Sequence, residues 1–237
     1  MFNLKDRTAI VTGASGNVGK AAVHAFHKAG AKLVLIDRIA GRLEKIYGDL
    51  KESGQLFFAS GDLTDAPAID GIVQEAARHF GRIDILANIA GGFSMGTAVH
   101  ETQPDLWQSM WNLNTFTVVT ACRSTLPHMM KQKSGKIINV AARAALAGKA
   151  KMAPYIVSKS GVIRLTESMS DEYKDYNINV NCILPGTVDT PDNRTDMPDA
   201  DHAKWVSPDA IADVLLFLAS DAARAITGAS VPVYGRS

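Results

Sequence analysis

Seven short apolar segments alternate with amphipathic stretches along this chain, and that alternation limits its fold more than any other feature. The segments are 8–12, 32–36, 56–59, 83–87, 135–140, 179–184 and 229–233, with helical periodicity over 66–79, 104–133 and 155–174, and with the first helix starting near Val18. A strand that reads as an unbroken apolar run has no solvent face, as in a parallel sheet covered by helices on both sides. Right-handed crossovers between such strands give a doubly wound, Rossmann-like α/β fold. At 237 residues, without linker, repeat or low-complexity segment, the chain 1–237 reads as a single domain. Its one long polar stretch, 189–207, is rich in Asp and Pro and is expected to be a loop over a substrate site.

Composition removes several function classes. Hydrophobic residues make up 46% and charged residues 21%, ordinary for a globular protein. A net charge of +1 without a basic block points away from nucleic acid and membrane surfaces as partners. No segment reads as a signal or a membrane span. Cys122 falls in an apolar helical stretch and Cys182 in an apolar strand, neither with a C-x-x-C partner or a nearby His. Both are expected to be buried, reduced thiols, and the protein cytoplasmic. The six His residues are scattered without ligand spacing, so no metal is expected.

Chemistry enters at two places. Gly13, Gly16 and Gly19 fall in the turn between the first strand and the first helix, in Thr12-Gly13-Ala14-Ser15-Gly16-Asn17-Val18-Gly19. Glycine permits the tight backbone there and lets a pyrophosphate reach the free N–H groups of the helix N-terminus. The spacing departs from G-x-G-x-x-G. Tyr155 and Lys159 are one helical turn apart, which brings phenol and ammonium to one face within ~6 Å. An ammonium beside a phenol favours phenolate, so Lys159 is expected to lower the Tyr155 pKa toward the range of a general acid/base. Asp37 ends the second strand, where a carboxylate can accept hydrogen bonds from adenosine ribose hydroxyls and repel a 2′-phosphate. NAD(H) is therefore favoured over NADP(H), although Arg38 could help a phosphate. Asp62, followed by Leu63, is placed to meet the adenine amino group. The Asn88-Ile89-Ala90-Gly91 backbone would run beside the adenosine ribose.

Together these motifs resemble the short-chain dehydrogenase/reductase family over essentially the whole chain. Its T-G-x-x-x-G-x-G turn is matched by Thr12–Gly19, with Ser15, Asn17 and Val18 at the intervening positions, and its N-N-A-G by Asn88, Ile89, Ala90 and Gly91. Its Y-x-x-x-K is Tyr155 and Lys159, and its P-G after the sixth strand is Pro185 and Gly186, followed by Val188 and Thr190. The resemblance implies that Tyr155 donates the proton, that Lys159 binds the nicotinamide ribose, and that an Asn completes a relay. Seven residues on from Trp107 is Asn114, with Asn112 nearby. The family's catalytic Ser, thirteen residues before the Tyr, is Ala142 here, and no Ser or Thr lies beside it. The hydroxyl normally stabilises a developing alkoxide, a contribution of ~2–4 kcal/mol where oxyanion donors have been removed. An inactive relative, a substitute group, or a substrate that is not a simple ketone would each account for the change.

The 90–93, 141–148 and 184–201 segments are similar to the dihydropteridine reductase branch, which carries A-G-G-aromatic, Ala at the Ser position, and a D-T-P-x-N-R-x-x-M-P-x-A-D loop. The likeness implies an NADH-dependent reductase of a quinonoid dihydropteridine, working as a homodimer or homotetramer on a small molecule. A general carbonyl/alcohol oxidoreductase and a non-catalytic dinucleotide-binding protein are the alternatives. Phe93 is the candidate stacking residue for the substrate, while Trp107 and Trp111 read as core or subunit interface. Arg194 is expected either to contact substrate or to cap its loop through Asp192 or Asp196.

Overall fold

The computed structural model describes residues 2–236. Seven strands, β1 (Thr8–Thr12), β2 (Lys32–Asp37), β3 (Leu56–Ser60), β4 (Ile85–Asn88), β5 (Gly135–Val140), β6 (Ile178–Pro185) and β7 (Ser230–Val233), form one sheet in the order β3-β2-β1-β4-β5-β6-β7. Every neighbouring pair is parallel, and Thr12 lies opposite both Ile36 and Asn88. The five residues of β1 are all buried, which is why that strand shows no polar alternation.

The described residues form eight α-helices: α1 (Asn17–Lys28), α2 (Arg42–Tyr47), α3 (Ala66–Phe80), α4 (Pro104–Trp111), α5 (Thr117–Gln132), α6 (Ala153–Tyr173), α7 (Pro191–Asp196) and α8 (Pro208–Ala219). On one face Phe26 of α1 and Leu215 of α8 pack with Val11 and Leu33; on the other Ile69, Val118 and Val162 of α3, α5 and α6 pack with Ile10 and Val34. Local chemistry sets the helix starts. Asp65 accepts from Ala68 N at 3.2 Å and Ser207 from Ala210 N at 3.1 Å, each with proline in the first turn.

Two expectations change. The 104–133 stretch is not one regular helix: a π-helical turn, Asn112–Phe116, joins α4 to α5, a local widening that recurs at functional sites. The 189–207 stretch is not a plain loop. Val188 pairs with Val206 as an isolated parallel bridge, Asp189 N donates to Val206 O at 2.8 Å and Val206 N to Thr187 O at 3.0 Å. Between those ends lie α7 and a short 3-10 turn, His202–Lys204. Proline at the first turn and the Thr190 hydroxyl as cap nucleate α7 despite its polar composition.

Candidate active site

Strand order reverses between β1 and β4, and there the loops leaving the C-terminal ends of the two strands part into a crevice, the usual ligand position in open α/β sheets. The glycine turn enters it from β1. Gly13 has φ +65, and a Cβ on it would stand 2.8 Å from the Ala90 Cα. A Cβ on Gly19 would overlap the Gly13 carbonyl. Thr12 Oγ1 accepts from the amides of Ile89 (3.1 Å) and Ala90 (3.3 Å), which clamps the loop after β4 against this turn. Helix α1 starts at Gly16 without a side-chain cap and without an acidic residue in its first turn, so an anion fits its N–H groups. Exposed Asn17 is its first residue, half-buried Val18 its second. These features fit a dinucleotide pyrophosphate.

Asp37, expected at the adenosine end, is buried at the end of β2. Its carboxylate accepts from the Ser15 hydroxyl and from Ile39 N at 2.9 Å, with Arg42 Nη1 4.0 Å away. Arg38 is exposed, and its carbonyl accepts from Ser60 Oγ at 3.4 Å. Asp62 is exposed and accepts from Thr64 N (2.8 Å) and Oγ1 (2.7 Å), bonds that hold its carboxyl below the usual range. Leu63 packs on the α3/α5/α6 side of the core. The Asn88 side chain turns into the core, donating to Asn139 Oδ1 at 2.9 Å and Cys122 Sγ at 3.4 Å, which leaves its backbone as the part available to the crevice. Cys122 and Cys182 are free and buried, as expected, and burial pushes the Cys122 thiol up to about 12.

The residues expected to act in catalysis cluster where α6, the π turn and the 89–93 loop meet. Asn114 is 0% exposed; its Oδ1 accepts from Gly92 N at 2.9 Å and its Nδ2 donates to Ser158 Oγ at 3.1 Å. Ser158 Oγ in turn donates to the Tyr155 carbonyl at 2.7 Å, and Thr115 Oγ1 to the Ser158 carbonyl at 2.7 Å. The π turn thus presents Asn114 and Thr115 side by side to α6. Lys159 Nζ donates to Val140 O at 2.7 Å. A Cβ on Gly91 would stand 2.8 Å from Asn114 Oδ1 and 3.0 Å from Lys159 Nζ, so a side chain at this loop position would displace the tips of both. The Phe93 ring meets Tyr155 edge to face, with centroids 4.9 Å apart.

One expectation about charge is corrected. Burial pushes the Tyr155 phenol up to about 12, and Lys159 does not pull it down. The ammonium lies on the Val140 carbonyl, and burial drives it down to about 8, so desolvation outweighs the charge pairing that the four-residue spacing suggested.

Ala142 is 6% exposed and leads into the 3-10 turn Arg143–Leu146, which the Ser160 hydroxyl ties to α6 through Ala145 O at 2.8 Å. Further round, Pro185 ends β6 and Gly186 N donates to Val233 O at 3.0 Å. Val188 O accepts from Asn193 Nδ2 at 2.8 Å, while Thr190 Oγ1 caps α7 through Asn193 N. Arg194 pairs with neither Asp192 nor Asp196. Its Nε and Nη2 reach Asp189 at 2.5 and 2.9 Å, and the fork holds Asp189 below the usual carboxylate range. Exposed Phe93, Met95, Leu146 and Met197 stand on the loops after β4, β5 and β6. Ser158, Thr115 and Val140 were missed by sequence reasoning. A hydroxyl one residue before Lys159 on a buried helix face was the available signal for Ser158; the other two depend on tertiary contact.

The α4 and α6 surfaces form a groove of about 450 Å³ lined by Trp107, Trp111, Pro154 and Val157, with Trp111 43% exposed. Among the described residues, no helix is long and apolar enough to cross a membrane, and no group of three or more His, Cys, Asp or Glu could hold a metal.

The family model for short chain dehydrogenase matches residues 7–201. The chain is 32% identical to the (2S)-[(R)-hydroxy(phenyl)methyl]succinyl-CoA dehydrogenase subunit BbsD of Thauera aromatica, over 99% of this chain and 97% of that one. A gluconate 5-dehydrogenase from Burkholderia cenocepacia, solved with NADP and tartrate, superposes with a TM-score of 0.91 at 26% identity, covering 99% of this chain and 96% of that one. A carveol dehydrogenase from Mycobacterium avium, solved with NAD, gives 0.91 at 25%, covering 99% and 98%.

Proposed function

The chain belongs to the short-chain dehydrogenase family and is an oxidoreductase that uses a nicotinamide dinucleotide, and from that premise we propose that it is an NADH-dependent reductase of a small, flat, conjugated substrate of quinonoid dihydropteridine type. The reduced nicotinamide, when bound, supplies the hydride. The protein supplies the rest. Tyr155, held up at about 12, stays protonated at neutral pH and is poised as a donor. Lys159 keeps two N–H donors beyond the one given to Val140, enough for the nicotinamide ribose hydroxyls. Asn114 locks the Gly92 loop to the helix that carries Tyr155. Asp37 favours NADH, since a 2′-phosphate beside a buried carboxylate would be repelled.

The observation that carries the substrate class is Ala142. A ketone reductase of this family places a hydroxyl there for the alkoxide oxygen, whereas a ring imine or quinonoid system develops no such oxyanion. The neighbouring hydroxyls of Ser158 and Ser160 are engaged with backbone carbonyls, and the exposed apolar side chains around Phe93 suit a planar ring. The second reading is a general carbonyl/alcohol oxidoreductase, favoured by relatives named as dehydrogenases of hydroxylated substrates. NADH oxidation with freshly generated quinonoid dihydropterin, run against a ketone panel, separates the two; turnover of ketones alone would remove the pterin reading. The α4/α6 groove and the exposed Trp111, Leu113, Phe116 and Val157 support assembly as a homodimer or homotetramer through these helices. Sedimentation tests that arm.

A further inference from the structure

Tyr47 is a buried tyrosine that no catalytic step uses. It is the last residue of α2 and 1% exposed, with its ring against His24 (centroids 5.9 Å) and Phe58 (6.4 Å). An apolar residue would fill such a position without a hydroxyl to satisfy, yet the phenol is present and partnered: it donates to the Ala14 carbonyl at 2.7 Å. Burial and the charge of Asp37 both raise its pKa, so it is a fixed donor and not a titrating group.

Ala14 is buried in the glycine turn, directly before Ser15. In a trans peptide the C=O of one residue and the N–H of the next point in opposite directions. Anchoring the Ala14 carbonyl to a phenol in the core therefore aims the Ser15 N–H outward, toward the mouth of the turn where Gly16 is exposed. The turn is braced on two further sides. Gly13 N donates to Ile36 O at 3.1 Å, and the Ser15 hydroxyl donates to Asp37. Helix α2 follows Asp37 after the short 38–41 turn, so one compact stretch ties the adenosine carboxylate to the pyrophosphate turn.

We propose that Tyr47 is a positioning residue for the dinucleotide, its hydroxyl fixing the Ala14–Ser15 peptide so that the Ser15 N–H meets the pyrophosphate. The proposal rests on the reading that the glycine turn holds NADH. The test is calorimetric titration of wild type, Tyr47→Phe and Tyr47→Met with NADH, ADP-ribose and adenosine, alongside thermal unfolding. Tyr47→Phe keeps the ring, and Tyr47→Met keeps the apolar fill should the ring alone be poorly tolerated. Both variants are expected to unfold cooperatively, to bind NADH and ADP-ribose about fivefold more weakly, to bind adenosine as wild type does, and to keep kcat at saturating NADH. Unchanged NADH affinity in both variants overturns the proposal. So does an equal loss for adenosine, which marks general damage to the pocket. Wild type that binds no NADH would overturn the coenzyme reading itself, and the proposal with it.

Discussion

The two sides of the crevice, one proposed for coenzyme and the other for substrate, are built in opposite ways. Around β1, α1, β2 and α2 the groups that would meet a dinucleotide are tied to one another: Ser15 to Asp37, Tyr47 to Ala14, Thr12 to the amides of Ile89 and Ala90. Beyond β5 and β6 exposed apolar side chains such as Leu146 and Met197 stand on the loops, and the Arg194–Asp189 pair is at the surface. A ligand whose shape does not vary can be met by backbone N–H groups in a rigid frame. A ligand that varies between relatives must be met by side chains that change cheaply. The first kind of site needs buried scaffolding, and the second does without it.

The sharpest break of this comparison is Tyr155→Phe, which sits on the border between the two sides. Positioned acid catalysis contributes ~10²–10⁴-fold, so kcat should fall by that order while the NADH dissociation constant stays put. A dinucleotide-binding protein without catalysis would show no rate to lose. Next in size is Asp37→Asn, which removes a charged acceptor from the rigid side. NADH affinity should drop roughly tenfold and NADPH should gain relative to it. Titration of wild type that found NADPH bound more tightly would sink the ribose-hydroxyl argument.

Ala142→Ser probes the adaptable side. Ketone reduction should rise about tenfold as a donor is restored beside the oxyanion, while quinonoid dihydropterin turnover stays nearly level. A parallel rise of both activities would show Ala142 to be simple damage to a ketone site. Lys159 gives a pH signature. Its folded pKa, about 8, lies below the ordinary lysine value of ~10.4. Between those values the unfolded chain binds the extra proton, so stability rises with pH across the window; below 8 both states are charged and the full burial cost is present. Urea unfolding at pH 7.5 and 9.5 should show this rise in wild type and less of it in Lys159→Met. NADH affinity should decline over the same window as the ammonium is lost. The smallest effect is expected for Arg194→Ala: an exposed pair contributes little, so KM for the organic substrate should move by no more than about twofold and NADH binding not at all.

The same division explains what could be seen in the residues alone. β1, β2, β5 and β6 announce themselves as apolar runs because parallel strands are buried on both faces, and the glycine turn because only glycine permits Gly13 beside Ala90. Tyr155 and Lys159 are visible because their spacing is that of a helical turn. The partners of these residues were not visible. Val140 O on Lys159, Ser158 on Asn114 and Asp189 on Arg194 are set by packing or by a short helix that polar composition hides. The burial that inverts the expected Tyr155 shift is likewise a property of three elements meeting, not of any one of them.

The narrow neck at Val188 and Val206 has a consequence for how such a chain can be remade. Residues 189–205 leave and re-enter the body at neighbouring points, fastened by the Asp189–Val206 and Val206–Thr187 backbone bonds. A segment with adjacent, fastened ends can be exchanged for one of different length with little entropic consequence for the remainder. Neither the register of β6 with β7 nor the Ser207 cap of α8 depends on what lies between. The segment is thus a cassette: one of different length can be carried between the same two fastening points.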